Sequence, residues 1–117
     1  MKIKRVAAVA VASLALFASS ANANYMCVGT VTYLGIDLGG DLTVGTSASP
    51  IHKICNFNGG AGRASGATCK SVYASLLSAK LTGKPVAIYY DDNGYNCGTL
   101  PAWSFVPSAY FVQGPDN

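Results

Sequence analysis

Carboxylates are the first candidates for chemistry in this chain of 117 residues, because acid–base enzymes often use a pair of them. The chain contains no Glu, and four of its five acids are Asp37, Asp41, Asp91 and Asp92. All four lie in short segments rich in Gly and Asn, which are typical of turns. Asp in a turn more often bonds the local backbone than takes part in catalysis. We therefore expect no catalytic carboxylate pair.

A cysteine nucleophile paired with histidine is the second chemical possibility, since His52 and Cys55 lie close together in the sequence. The chain has four cysteines, and an even number in an exported protein predicts two disulfides with three possible pairings. No C-x-x-C pair is present and His52 is the single histidine, so a zinc site is not predicted. We expect Cys55 in a disulfide and His52 as an ordinary strand residue.

The glycine-rich and acidic loops do not match cofactor motifs either. Residues 59–63 lack the G-K-[ST] ending of a phosphate loop, and no G-x-S-x-G element is present. Residues 91–94 lack the alternating ligands and the terminal Glu of a calcium loop. The sequence thus predicts a protein that is not an enzyme, with no cofactor and no metal.

Residues 1–23 have the composition of a secretory signal peptide. A basic start precedes an apolar stretch at residues 6–18, and Ala21-Asn22-Ala23 matches the small-x-small cleavage pattern. The stretch is too short for a membrane span and no second one follows, so no transmembrane segment is expected. We predict cleavage after Ala23 and a single exported domain over residues 24–117, either periplasmic or secreted.

Cleavage would change the charge of the protein. The chain has a formal net charge of +3, but three of its eight basic residues lie in the predicted signal peptide. The remaining five balance five Asp, so the mature chain is neutral and gives no argument for nucleic-acid binding. The five lie between the third predicted strand and the start of the fourth: Lys53, Arg63, Lys70, Lys80 and Lys84.

Residue patterns predict five strands and one helix. Strands are indicated by runs rich in Val, Thr, Ile and Tyr between turn residues. They are expected at residues 25–36, from 42 onward, at 51–57, 86–90 and 103–112, the last with a bulge or an edge at Pro107. The helix is expected over residues 69–82, with Thr68 as N-cap, Gly83 as the C′ residue and Pro85 as a stop.

The order β-β-β-α-β-β is that of the five-stranded OB barrel, so we predict a mainly β, OB-like barrel with one helix. In that barrel the first and fourth strands are antiparallel neighbours, which brings Cys27 near Cys97. Cys55 ends the third strand and Cys69 opens the helix. The prediction is therefore two disulfides, Cys27–Cys97 and Cys55–Cys69, although a different fold could also bring these pairs together.

The predicted helix has an apolar face wider than one contact with a core requires. Its polar residues fall on one narrow stripe at about 100° per residue: Ser71, Ser75, Ser78 and Thr82. Either the helix is deeply buried, or it packs both on its own barrel and on a neighbouring subunit. The second alternative predicts a homo-oligomer with Ala74, Leu77 and Leu81 at the contact.

Residues 69–90 resemble a pattern found in small exported bacterial proteins. An Ala/Leu helix ending in Ala79-Lys80-Leu81-Thr82-Gly83-Lys84 is followed by a strand rich in Val, Ile and Tyr. As a group these proteins resemble the OB-fold B subunits of bacterial toxins, such as that of subtilase cytotoxin. The resemblance implies pentameric rings and binding of cell-surface glycans. It includes no catalytic motif, and no sugar-contacting residue is carried over from it.

Acidic, amide and aromatic residues are expected to gather at one end of the barrel. The loops joining strands one to two and four to five border the usual ligand face of OB folds. Such residues suit a neutral sugar, whereas an acidic face repels phosphate. Turn formation or core packing is the stronger explanation for any single residue, and the cluster is what favours a ligand. The candidate ligand-binding residues are Asp37, Asp41, Asp92, Asn93, Tyr95, Asn96 and Trp103.

Two functions from different classes follow. The first is an exported, non-enzymatic binding protein that recognises a glycan or an envelope component. The alternative is a periplasmic structural, assembly or inhibitor protein that acts through protein–protein contacts. A sugar response of Trp103 fluorescence would favour the first, and a stable protein partner without a sugar response would favour the second.

Overall fold

A computed structural model describes residues 24–115 of the chain. Within them the protein is mainly β, with five strands in one antiparallel sheet, one α-helix and two disulfides. The elements in chain order are β1 (Tyr25–Ile36), β2 (Asp41–Thr46), β3 (Ser49–Asn56), α1 (Gly66–Thr82), β4 (Pro85–Tyr90), a 3₁₀ turn (Cys97–Thr99) and β5 (Ala109–Gln113). The signal peptide predicted for residues 1–23 lies outside the described residues.

β1 is the central strand and pairs on two sides. The sheet order is β3-β2-β1-β4-β5, and neighbouring strands in it are antiparallel. Residues 25–30 of β1 pair with β4, whereas residues 31–36 pair with β2. The antiparallel pairing of the first and fourth strands is therefore present, as the sequence predicts.

The chain before β5 meets the far edge of the sheet. Lys53 in β3 forms a parallel bridge with Phe105. The Lys53 N–H donates to the Ser104 carbonyl at 2.9 Å, and the Val106 N–H donates to the Lys53 carbonyl at 2.9 Å. The sheet curls until the segment ahead of β5 lies beside β3.

The fifth strand differs from its predicted bounds. The sequence predicts a strand from Trp103 to Val112, but the structure has β5 at Ala109–Gln113. Residues 104–106 pair with β3 instead of β4. The change of partner falls at Pro107, which has no N–H to continue a ladder. The predicted interruption at this proline thus separates two different pairings.

The helix begins three residues earlier than predicted. Ser65, not Thr68, is the N-cap, since the Ser65 Oγ accepts from the Thr68 N–H at 3.1 Å. The C-terminal end agrees with the prediction, because Gly83 adopts φ 68°, a left-handed conformation that glycine takes without a Cβ penalty. One face of α1 packs on the sheet through Cys69, Leu76 and Ala79, which are buried.

That single buried face rules out a deeply buried helix. The buried positions 69, 76 and 79 are separated by seven and three residues, spacings that lie on one face of a helix. Leu81 on the other side is 78% exposed and Ala74 is exposed, whereas Leu77 is half-buried. α1 also contains no window long and apolar enough to cross a membrane, and this holds for the described residues as a whole.

Both predicted disulfides are confirmed. Cys27 in β1 bonds Cys97 in the 3₁₀ turn, with the Cα atoms 5.5 Å apart. Cys55 in β3 bonds Cys69 in α1, with the Cα atoms 5.8 Å apart. The first bond fixes the long β4–β5 connection to the central strand, and the second fixes the helix to the sheet.

Candidate ligand-binding cleft

Trp103 has an unusual backbone for a large side chain. Its φ is +60°, in the left-handed region, where a residue with a Cβ is disfavoured by about 1–2 kcal/mol. The Trp103 N–H donates to the Ile51 carbonyl at 2.6 Å, which holds the backbone in place. The indole is nevertheless 58% exposed. A strained residue that presents an aromatic ring to solvent is a candidate for function.

Tyr33 stands beside this indole. The two ring centroids are 5.5 Å apart with an interplanar angle of 76°, an edge-to-face arrangement. The Tyr33 ring lies over Gly35, where an added Cβ would come within 3.2 Å of the Tyr33 hydroxyl. Gly35 therefore leaves the space that this ring position needs.

A cleft of about 210 Å³ opens next to the two rings. Residues 33, 35 and 37 alternate along the end of β1 and its turn, so they share one side of the chain. Gly35 pairs with Thr43 of β2, and Thr43 pairs with Lys53 of β3, which extends the cleft across three strands. The lining is Tyr33, Gly35, Ile36, Asp37, Thr43, Lys53 and Trp103.

Asp37 and Lys53 form the polar side of this cleft, and Lys53 also bonds Asp41, which lies just outside the lining. The Lys53 Nζ donates to Asp37 Oδ2 at 3.0 Å and to Asp41 Oδ2 at 3.2 Å. Hydrogen bonds from the backbone N–H of Asp41, and then from Lys53, hold the pKa of Asp37 below its usual range. The hydrogen bonds to Asp37 and Asp41 raise the pKa of Lys53. Asp37 and Lys53 therefore stay ionised at neutral pH.

This arrangement corrects the predicted separation of charges. Lys53 sits between Asp37 and Asp41, and Arg63 forms an ion pair with Asp91 at 2.7 Å. Basic residues that are distant in sequence thus reach both acidic loops, because β3 and the loop after it lie against them. Two basic side chains therefore lie among the four carboxylates of the expected ligand face and balance half of their charge.

Asp92 organises a second cluster within its own loop. Its carboxylate accepts hydrogen bonds from the Tyr25 hydroxyl at 2.8 Å, from the Ser108 hydroxyl, and from the Tyr95 N–H at 3.0 Å. Burial opposes ionisation, but these hydrogen bonds outweigh it and keep the pKa of Asp92 below its usual range. The carboxylate fixes the loop and has little capacity left for a ligand.

Of the other candidates in this loop, Asn96 bonds the local backbone, whereas Asn93 and Tyr95 are exposed to solvent. Asn96 caps the 3₁₀ turn, with its Oδ1 accepting from the N–H groups of Gly98 at 3.0 Å and Thr99 at 3.2 Å. Tyr95 is 46% exposed, and Asn93 is exposed.

The structure divides the seven candidate residues between two places. Asp37 and Trp103 line the cleft and Asp41 bonds Lys53 beside it, whereas the second cluster holds Asp92, Asn93, Tyr95 and Asn96. The cleft follows the end of β1, while Asp92 bonds Tyr25 at its start. Because β4 runs antiparallel to β1, the loop after β4 begins at the opposite end from the β1–β2 turn. The single rim expected from the sequence is therefore wrong.

Five cleft residues are absent from the sequence-based candidates: Tyr33, Gly35, Ile36, Thr43 and Lys53. Tyr33, Gly35 and Asp37 are spaced two residues apart, and residues at this spacing lie on the same face of a strand. This spacing is the sequence signal that could have placed Tyr33 beside Asp37. Lys53 carries no such signal, because only the strand register brings it to the two carboxylates.

Cys55 and His52 do not form a catalytic pair, as expected from the sequence. Cys55 is in a disulfide, and His52 is fully buried. His52 Nδ1 lies 2.7 Å from the Pro50 carbonyl oxygen, which can only accept, so Nδ1 carries the proton. His52 Nε2 then accepts a hydrogen bond from the Tyr90 hydroxyl at 2.7 Å. Burial lowers the pKa of His52 and raises that of Tyr90, so both are neutral core groups.

Residues 24–115 contain no group of three His, Cys, Asp or Glu side chains that could hold a metal ion. A scan of protein-family models and searches of curated proteins and solved structures found no match to this chain. The site's own geometry is therefore the basis for the functional argument.

Proposed function

We propose that this chain is an exported, non-enzymatic binding protein that recognises a glycan or glycan-bearing envelope component in the Trp103 cleft. The observation that carries the proposal is the exposed indole of Trp103, whose backbone has φ +60° and whose ring lies beside Tyr33. The same cleft contains Lys53, which forms a charged triad with Asp37 and Asp41. Strain retained around an exposed aromatic ring is difficult to explain by stability alone.

The two sides of the cleft suit the two kinds of surface on a neutral sugar. The indole and phenol rings offer apolar faces to the C–H groups of a pyranose ring. Asp37 and Lys53 supply acceptors and donors for its hydroxyl groups, since a carboxylate has about four lone-pair sites and an ammonium group three N–H donors. Sites of this kind combine apolar walls with a few placed polar groups.

The triad also argues for a neutral ligand over an anionic one. Lys53 already donates to two carboxylates, Asp37 and Asp41, so the three groups together carry one negative charge. A phosphate or carboxylate on the ligand would meet that charge at close range, and like charges at such distances are repulsive.

An OB-like barrel that closes between β3 and residues 104–106, ahead of β5, is the architecture we infer for this site. It is supported by the antiparallel β1–β4 pairing and by the parallel bridge between Lys53 and Phe105, which links β3 to the segment ahead of β5. These features also suit the proposed likeness to toxin B subunits. Export is supported by the two disulfides, which persist in oxidising compartments.

A homo-oligomer formed through α1 is part of the same proposal. Leu81 and Ala74 are exposed and Leu77 is half-buried, so an apolar strip remains available on the outer side of the helix. Burying such a strip between subunits removes it from water.

A glycan array probed with residues 24–117 tests the proposed function. We expect selective binding to neutral glycans that is lost in Trp103→Ala and kept in Tyr95→Ala. Tyr95 is the matched control, because it is an exposed aromatic residue of the second cluster. Binding lost in Tyr95→Ala but kept in Trp103→Ala would move the site to the Asp92 loop, and an array without bound glycans would contradict the proposal.

A further inference from the structure

β5 lies at an edge of the sheet, and a groove of about 300 Å³ borders it. Among residues 24–115, β4 is its one neighbour in the sheet. Four consecutive residues, Ala109–Val112, line the groove. Since successive side chains of a strand point to opposite faces, a consecutive run shows that the edge of the strand borders the groove.

The opposite wall is formed by the end of β3, by the loop before α1 and by the first turns of the helix. Its chemistry is mainly apolar, and the charged residue in it is already paired. Arg63 contacts Asp91 at 2.7 Å and lies 6.0 Å from the centre of the Tyr110 ring. The groove therefore has no unbalanced charge and suits an uncharged ligand. The lining residues outside β5 are Ile54, Cys55, Arg63, Ala64, Thr68 and Val72.

The sequence of β5 leaves this edge without the usual protection. Natural edge strands commonly carry charged side chains that discourage further pairing. β5 reads Ala-Tyr-Phe-Val-Gln, with no charge, and its Phe111 is 54% exposed. Pro107 before the strand and Pro115 after it limit any added pairing to the residues between them.

We propose that this groove binds an extended, uncharged segment of a partner protein, which joins the sheet as a strand beside β5. Main-chain hydrogen bonds to Ala109–Val112 provide the pairing, and alternate small apolar side chains enter the groove beside Val72. This surface is separate from the Trp103 cleft, so the inference does not depend on the proposed glycan.

The size of the groove favours a short segment over a second folded copy of this chain. A five-residue edge is about 17 Å long at roughly 3.4 Å per residue. Stable interfaces between folded proteins bury about 1,200–2,000 Å². One short edge with a narrow groove matches a single strand better than a subunit surface of that area.

The test uses four blocked peptides of about six residues, the usual length of a strand, in which Val, Ile, Ala or Phe alternates with Thr. Each peptide is titrated into isotope-labelled protein (residues 24–117) and followed by NMR. We expect at least one peptide to shift the amide signals of residues 109–112 and to slow their hydrogen exchange. Methylating the peptide nitrogens that face β5 should weaken binding by about tenfold or more, because each lost hydrogen bond contributes to affinity.

Two variants on one helix provide the protein-side control. Val72→Phe should fill the groove and weaken binding by about tenfold, whereas Ser78→Phe, at an exposed position outside the groove, should leave it unchanged. The proposal is overturned if no peptide of the panel shifts residues 109–112, if N-methylated and unmodified peptides bind equally, or if the shifts appear at Trp103 instead.

Discussion

At the scale of single residues, strain and burial indicate which side chains serve function and which serve structure. Trp103 keeps an unfavourable backbone and an exposed ring, so its conformation is not explained by core packing. His52 is buried with both ring nitrogens hydrogen-bonded, so its role is structural. The sequence identified Trp103 as a ligand candidate by residue type, but its left-handed φ depends on the Ile51 hydrogen bond and has no sequence signal.

Two substitutions of Trp103 distinguish the backbone strain at this position from the role of its ring in binding. Trp103→Gly should be more stable than Trp103→Ala by about 1 kcal/mol, because glycine adopts φ +60° without a Cβ penalty. Both variants should lose sugar binding, since both lack the ring. Urea denaturation of the two proteins measures the difference, and an alanine variant at least as stable as the glycine variant would show that the site is not strained.

His52 should make stability depend on pH. Its imidazole is neutral in the folded protein with a lowered pKa, whereas the unfolded chain binds a proton near pH 6.5. The unfolded state then binds more protons as the pH falls below about 6.5, so stability is full above that pH and declines below it. The groups packed nearest are Tyr90, Tyr25 and, beyond them, Asp92.

The single histidine makes this testable by direct titration. The His52 ring signals in NMR should show no titration until well below pH 6.5, while denaturation at pH 5.5 should need less urea than at pH 7.5. A ring that titrates at or above pH 6.5 in the folded protein would contradict the sign of this effect.

At the scale of elements, local sequence patterns predict which strands and helices form better than they predict which strands pair with one another. The bounds of β1 and the Gly83 end of α1 agree with prediction, because alternation, β-branched residues and a C′ glycine act locally. The pairing of residues 104–106 with β3 could not be predicted, because it depends on how far the sheet curls. The same long-range contact determines the cleft, which is why Lys53 was missed.

The start of α1 gives a prediction at this scale. Ser65→Ala should destabilise the protein by about 1 kcal/mol, since the Thr68 N–H loses its acceptor. Thr68→Ala should lower the stability by less, because Thr68, the N-cap predicted from the sequence, lies inside the helix. Thermal or urea denaturation of the two variants measures the difference. A Thr68→Ala variant less stable than Ser65→Ala would indicate that Thr68 is the N-cap.

At the scale of the whole molecule, two disulfides hold the domain together, and an exposed apolar strip on the helix is the contact proposed for assembly. Cys27–Cys97 joins residues 70 apart and Cys55–Cys69 joins residues 14 apart. The longer loop is expected to contribute more stability in the chain-entropy model, roughly 4–5 against 3 kcal/mol. The pairing was predictable because the order of strands and helix places Cys27 near Cys97 and Cys55 near Cys69.

Assembly through α1 is tested by substituting its most exposed apolar residue. Leu81→Lys should dissociate the proposed oligomer and leave a folded monomer, because the side chain is 78% exposed within the subunit. Light scattering measures the assembly and denaturation measures the fold. A wild-type protein that is already monomeric contradicts this part of the proposal.

The most direct test of the central claim is a fluorescence titration, because Trp103 is the single tryptophan of the chain. A neutral glycan that binds on the array should quench or shift the Trp103 emission and protect it from iodide. The binding curve should match the one obtained by calorimetry, with an affinity about ten- to a hundredfold lower in Lys53→Met. A glycan that binds by calorimetry while the Trp103 emission and its iodide quenching stay unchanged would contradict the account.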